Sequence, residues 1–171
     1  MNKKHISVIC ILCGFICFSV VLLLQVIQKR DIQKTAYQTI PVFSLPDING
    51  QKITEKSLKK HIPTLFLFFD PSCELCHEEL QQINENREKL NNGQIIFFSV
   101  ESAETIRNFL EKLQFSPSLN LFFLIDTSEI LVNTMEIKGP PTAIIYGKNG
   151  KLIKRFNGPV KIETLIEYLS K

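Results

Sequence analysis

The 171-residue chain concentrates its reactive side chains in one short run, FLFFDPSCELCHEEL, from Phe66 to Leu80. Cys73 and Cys76 stand there in the order CELCH, with His77 directly behind them. That spelling serves two chemistries. In one, both thiols attach a haem and the histidine ligates its iron. In the other, the two sulfurs cycle between dithiol and disulfide: Cys73 attacks a substrate disulfide, and Cys76 resolves the mixed disulfide from one helical turn further on. Cysteines so close in sequence cannot brace distant parts of a fold, so chemistry is a better reading than structure. A haem would want a second axial ligand, yet Met135 is the only methionine after the start and no histidine follows His77. Zinc would need two more ligands, and there is no second cysteine pair, only His61 and His77 nearby.

Position decides how reactive such thiols are. Thr64–Phe69, TLFLFF, is a continuous apolar run suited to a strand covered on both faces, and so a central one. From Cys73 the spacing turns helical, with Cys76, Leu80, Ile83, Arg87 and Leu90 on one side, and predicts a helix ending at Asn92-Gly93. Cys73 then sits at a helix N-terminus, where unpaired N–H groups and the helix dipole favour a thiolate. Gln94–Val100 reads as a second buried strand, and Ser102 caps a helix through Gln114. Leu121–Ile125 is a third strand, followed after Asp126 by a short helix to Thr134. Thr142–Tyr146 and Lys151–Phe156 flank Gly147-Lys148-Asn149-Gly150 as a hairpin, and Val160–Leu169 carries a last helical stripe. An opening hairpin, Val42–Leu45 with Lys52–Thr54, turns at Asp47-Ile48-Asn49-Gly50. Strands alternating with helices and closing on a hairpin describe an α/β sandwich with a mixed sheet and no internal repeat.

Ahead of this domain, Ile6–Ile27 runs 22 residues without a charge, about 33 Å as a helix and enough to span a bilayer. Lys3 and Lys4 precede it, and Lys29 and Arg30 follow. The main rival is a cleaved signal peptide, but the run is long for one and lacks a clear small-x-small site. Cys10, Cys13 and Cys17 lie inside the run and read as packing residues. The expected organisation is a tail 1–5, an anchor 6–27, a tether 28–40 and a domain 41–171. Cations on the two sides of the anchor balance, so they do not orient it. The formal net charge is +3, but without the four flanking cations 16 basic side chains face 17 acidic ones, and nothing in that balance points to a nucleic acid partner.

FFDPSCELC leading into a helix, with GPPTAIIYGKNGKLIKRFNG about 65 residues later, resembles the thioredoxin-like superfamily. The opening PVFSLPDINGQKIT is similar to the start of its AhpC/TSA-related TlpA/ResA branch, and the match runs from Pro41 to Lys171. The resemblance implies a three-layer thioredoxin-like sandwich behind one transmembrane helix, acting as a membrane-anchored thiol:disulfide oxidoreductase. It implies a redox-active disulfide, Cys73–Cys76, with no bound cofactor, and a cis proline at Pro141 facing the cysteines. Pro140 and Thr142 flank that proline on the implied substrate-docking surface. CELCHEE resembles the branch's CEPCKKE pattern, which carries a functional glutamate onto Glu79 as general acid or base for the deeper thiol. Disulfide-containing proteins are the implied substrates, apocytochrome c among them, and a membrane electron donor renews the dithiol. The implied site is the periplasmic face of a bacterial cytoplasmic membrane. The long spacing from Cys76 to Pro141 leaves room for the extra helix and strand of this branch.

The departures narrow the expectation. Ser72 stands where these proteins usually carry tryptophan, and Leu67 replaces the buried acid of minimal thioredoxins, which leaves proton handling to Glu79. Glu74 lies between the cysteines, opposes the thiolate and pushes the pair toward the reducing end; His77 and Ser72 are further candidates for tuning it. Pro140 has a carbonyl but no N–H, so only one of two main-chain bonds to a substrate can form. The Pxxx[TS]xxC arrangement of peroxide-reducing relatives is absent, with Asp70 three residues before Cys73. Two other function classes stay open: a thioredoxin-fold binding or chaperone module without turnover, and a c-type cytochrome.

Overall fold

The computed structural model describes residues 16–25, 37–115 and 120–170, and the chain divides into two compact units, Met1–Thr35 and Ala36–Lys171. In the first, residues 16–25 form helix α1, whose Ile16, Phe18 and Leu23 are exposed. The tail 1–5, most of the expected span Ile6–Ile27 and the tether up to residue 36 lie outside the described residues. Among the described residues no helix is long and apolar enough to cross a membrane.

The second unit is built on five strands. A small antiparallel ribbon, β1 (Ser44–Pro46) with β2 (Lys52–Thr54), precedes β3 (Thr64–Phe68). Then follow α2 (Glu74–Glu85), β4 (Gln94–Ser99), α3 (Ala103–Lys112), β5 (Leu121–Ile125), α4 (Ile130–Thr134), β6 (Thr142–Tyr146), β7 (Leu152–Asn157) and α5 (Ile162–Ser170). The main sheet has the order β5-β4-β3-β6-β7. β3 is central, parallel to β4 and antiparallel to β6. β4 and β5 are parallel, and β7 returns antiparallel to β6.

The strands are apolar without interruption because both faces of the sheet are covered, and period-2 alternation sorts their side chains. Leu65, Leu67, Phe69, Ile95, Phe97, Ala143 and Ile145 share one core with Leu80 and Ile83 of α2, Phe109 of α3 and Leu165 of α5. Phe66, Phe68, Ile96, Phe98, Ile144 and Tyr146 share the other with Phe43, Leu45 and Ile53 of the ribbon region and with Leu131 and Met135 around α4. The three layers are therefore α2, α3 and α5, then the sheet, then α4 with the ribbon. Two parallel crossovers running the same way across β3, β4 and β5 put α2 and α3 on one face, as right-handed connections require.

Local chemistry shifts several boundaries. The helix expected to reach Asn92-Gly93 stops at Glu85, because Asn86 leaves helical geometry at φ −112° and its side-chain amide donates to Gln82 O at 3.0 Å. A 3-10 turn, Arg87–Leu90, still buries Leu90. α3 ends before Gln114, whose φ is +49°. α4 starts where the Asp126 carboxylate accepts the N–H groups of Ile130, Leu131 and Val132 at 2.7–3.0 Å. Residues 37–40, expected as tether, are bound to the β6–β7 hairpin: Ile40 N–H donates to Gly150 O (3.0 Å), and Leu152 N–H donates to Gln38 O (2.8 Å). The Tyr146 hydroxyl also donates to Tyr37 O at 3.0 Å.

Phe97 is fully buried, stacks on Phe123 at 4.5 Å and meets Phe69 and Phe115 edge to face. Phe97→Ala is expected to lower stability by about 3–5 kcal/mol, read from the midpoint of guanidinium denaturation followed by circular dichroism.

Candidate active site

β3 and its extension to Phe69, whose N–H donates to Phe98 O (3.1 Å), deliver the chain to a tight turn. Asp70 shapes it: its Oδ1 accepts both the N–H and the hydroxyl of Ser72 at 2.7 Å, and its carbonyl accepts the Cys73 N–H at 3.0 Å. This role of Asp70 was not read from the sequence, although Asp-Pro is a turn-initiating pair. Ser72 is thus an exposed turn residue beside the first cysteine.

Cys73 is the N-cap of α2, with extended φ and ψ of −85° and 115°, and its Sγ accepts the Cys76 N–H at 3.3 Å. The Cys73 sulfur thus stands at the helix N-terminus, where backbone N–H groups are otherwise unpartnered. Cys73 is partly exposed, whereas Cys76 is fully buried in the core between α2 and the sheet. Burial, and then the adjacent Cys73 sulfur, hold the Cys76 thiol well above the usual thiol range; the Glu79 charge acts in the same direction. The two thiols therefore differ in kind: one is presented and the other is kept protonated.

Glu79 follows one turn behind Cys76 on the same face and is 3% exposed, unlike Glu74 and Glu78, which face solvent. Its Oε1 accepts the N–H of Val160 at 3.2 Å, across 81 residues of sequence. Its Oε2 is buried with no hydrogen-bond partner. Burial pushes the carboxyl up to about 7 from an ordinary 4.5, and the Val160 bond offsets only part of that. Val160 could not be read from the sequence as a site residue, because its contribution is a backbone N–H brought in by the fold.

Pro141 reaches the site from the other side of β3. The Pro140–Pro141 peptide bond is cis, and the β3–β6 register pairs Phe68 with Thr142, so Pro141 leads into β6 beside the end of β3. Pro141 is buried and its carbonyl accepts the Gly158 N–H at 2.9 Å; Pro140 is exposed. Thr142, expected on the docking surface, is 1% exposed and its hydroxyl donates to Gly139 O at 2.7 Å, so its side chain braces the loop. His77 is exposed and turns its ring edge-on to Phe109 of α3, at 5.6 Å between centroids. With Pro71, Ser72, Thr105, Asn108 and Lys112 they line an open cleft next to the Cys73 turn. Among the described residues no group of three or more His, Cys, Asp or Glu side chains could hold a metal ion.

A central strand, a CxxC at the head of the next helix and a cis proline leading into the antiparallel neighbour define a thioredoxin-like dithiol protein. The chain belongs to the AhpC/TSA family, which matches residues 36–155. It is similar to the thiol-disulfide oxidoreductase ResA of Bacillus thuringiensis subsp. konkukian, 28% identical over 171 residues that cover 98% of this chain and 94% of the relative. Among solved structures it resembles a putative thioredoxin from Neisseria meningitidis, with TM-score 0.63 and 25% identity over 76% of this chain and 86% of that one. It also shares its fold with StoA from Bacillus subtilis, with TM-score 0.62 and 19% identity over 77% and 98% of the two chains.

A carboxyl whose pKa the fold raises contributes stability most fully while protonated, below its ordinary 4.5, and loses it as pH rises through about 7. Raising the pH from 4 to 8 is expected to cost the native protein about 2–3 kcal/mol that Glu79→Gln does not lose. Denaturation curves of the two proteins across that range check it.

Proposed function

We propose that this thiol:disulfide oxidoreductase is held by residues 6–27 at the extracytoplasmic face of a bacterial cytoplasmic membrane and reduces disulfides of proteins in that space. The observation that carries the reading is the division of labour along α2: Cys73 is accessible at the helix N-terminus, and Cys76 and Glu79 are sealed one and two turns below it. The Cys73 thiolate attacks one sulfur of a substrate disulfide, a new S–S bond forms, and the other substrate sulfur leaves as thiolate. Cys76 gives its proton to the open Oε2 of Glu79 and displaces the substrate, which leaves with two electrons while Cys73 and Cys76 close into a disulfide. A carboxyl that titrates near neutrality suits that exchange.

The redox couple is the cysteine pair itself, so the cycle asks for no bound cofactor. It does ask for two electrons per turnover, which we assign to a membrane electron donor. Exposed Pro140 offers a carbonyl to substrate backbone and no N–H, a loose grip suited to varied substrates, apocytochrome c thiol pairs among them. A dithiol reductant has work to do where disulfides form, which favours the extracytoplasmic space. Thioether attachment of haem would require both sulfurs to face one haem pocket, and Cys76 is instead packed among the side chains of the core.

Cys76→Ser removes the resolving thiol and keeps the attacking one. The variant is expected to accumulate covalent adducts with envelope proteins through Cys73, visible on non-reducing gels and dispersed by dithiothreitol, while Cys73→Ser/Cys76→Ser forms none. An adduct-free Cys76→Ser variant with intact folding would reject the mechanism.

A further inference from the structure

We propose that the end of the domain opposite the cysteines is a docking surface for the anionic headgroups of a lipid bilayer, a reading that rests on the membrane attachment proposed above. Strand direction defines the two ends. Cys73 follows β3 and Pro141 precedes β6, so both lie at one end of the sheet; the pair Thr64 and Tyr146 marks the other. At that far end the segment entering β3 and the β6–β7 turn bring together Lys59, Lys60, His61, Lys148 and Lys151, all exposed. The first four share one cleft with Ile40 and Glu55, the only carboxylate in its lining. Lys148 and Lys151 border a second cleft with Ile153, an apolar side chain left 47% exposed.

These ammonium groups are free to bind. Lys59 donates once, to Asn120 Oδ1, and keeps two of its three N–H donors. Among the described residues none of the four lysines pairs with a carboxylate. Lysines around an exposed apolar side chain match an interface whose outer layer is phosphate and whose inner layer is hydrocarbon.

Charge complementarity and a short connection to the apolar segment select a bilayer as the occupant. Residues 38–40 are bonded to Gly150 and Leu152 at this same end, and the chain read back from Thr39 runs antiparallel to Lys151 along β7 as far as Tyr37, whose ring lies against Arg155. Only nine residues, 28–36, lie between Tyr37 and the apolar segment 6–27, at most about 30 Å of extended chain. The opposite end has the reverse charge: Asp70, Glu74, Glu101 and Glu129 stand there against Lys138 and Lys161. An anionic surface therefore draws one end in, repels the other and leaves Cys73 facing away from the lipid. Each lysine close to such a surface strengthens attachment roughly five-fold, and the attraction fades beyond about 8–10 Å at moderate salt.

The test uses the full chain reconstituted into phosphatidylcholine vesicles, with and without phosphatidylglycerol. Hydrogen exchange is read at residues 57–64 and 145–153, and alkylation is read at Cys73. Phosphatidylglycerol is expected to slow exchange in both segments at least about five-fold, with Cys73 alkylation unchanged. High salt, or the combined Lys59→Gln, Lys60→Gln, Lys148→Gln and Lys151→Gln variant, should restore the neutral-vesicle rates while substrate reduction persists. Equal exchange on the two lipids, or slowing at the cysteine end instead, overturns the proposal. Protein that does not stay with neutral vesicles refutes the anchor but not the docking surface, because slowed exchange on anionic vesicles would still support it and unchanged exchange would still overturn it.

Discussion

Every residue from Thr64 to Phe69 is buried, and that double-sided burial of β3 is the constraint from which the site follows. A strand with no solvent face cannot shift by one residue without exchanging Leu65, Leu67 and Phe69 for Phe66 and Phe68, two sets packed against different layers. Its end is therefore a fixed point. The Asp70 turn and the Cys73 cap hang from that point on one side, and the Pro140–Pro141 loop arrives beside it through the β3–β6 ladder. Side chains placed by a locked strand hold their geometry better than side chains on free loops.

The same burial explains how the proton chemistry is distributed. With Leu67 in the core against the helices, the sheet contributes no ionisable group beneath the cysteines, and the acid comes from the helix itself. Glu79 lies where helical spacing puts it, one turn past Cys76, with one oxygen bonded and the other open. A carboxyl left half-satisfied in the core costs stability, and such costs are characteristic of functional positions.

Much of this architecture was legible in the residues, for identifiable reasons. The three phenylalanine-rich strands announced themselves because two-sided burial leaves no polar interruption, and the hairpin at Gly147–Gly150 because its turn chemistry is local. Cys73 as a helix cap also follows from local pattern. What pattern could not show depends on partners far away in sequence: the Val160 N–H on Glu79, the return of residues 37–40 to the last hairpin and the inward turn of the Thr142 hydroxyl. Periodicity overran the end of α2 because Leu90 keeps the apolar phase, although Asn86 has already broken the backbone. Glu78 and Glu79 look alike in sequence; only the packing of α5 and its leading segment separates a solvated carboxylate from a buried one.

The bond from Glu79 to Val160 also has a consequence for biosynthesis. The lid over the resolving thiol begins 81 residues after Glu79: Val160, Leu165 and Leu169 close the core around Cys76, Leu80 and Ile83. A nascent chain emerging N-terminus first has made its central strand and both cysteines long before that lid exists. Until α5 arrives, Cys76 and Glu79 are open to water and to any oxidant. The asymmetry between the two sulfurs is thus acquired only when α5 docks, long after both cysteines have been made.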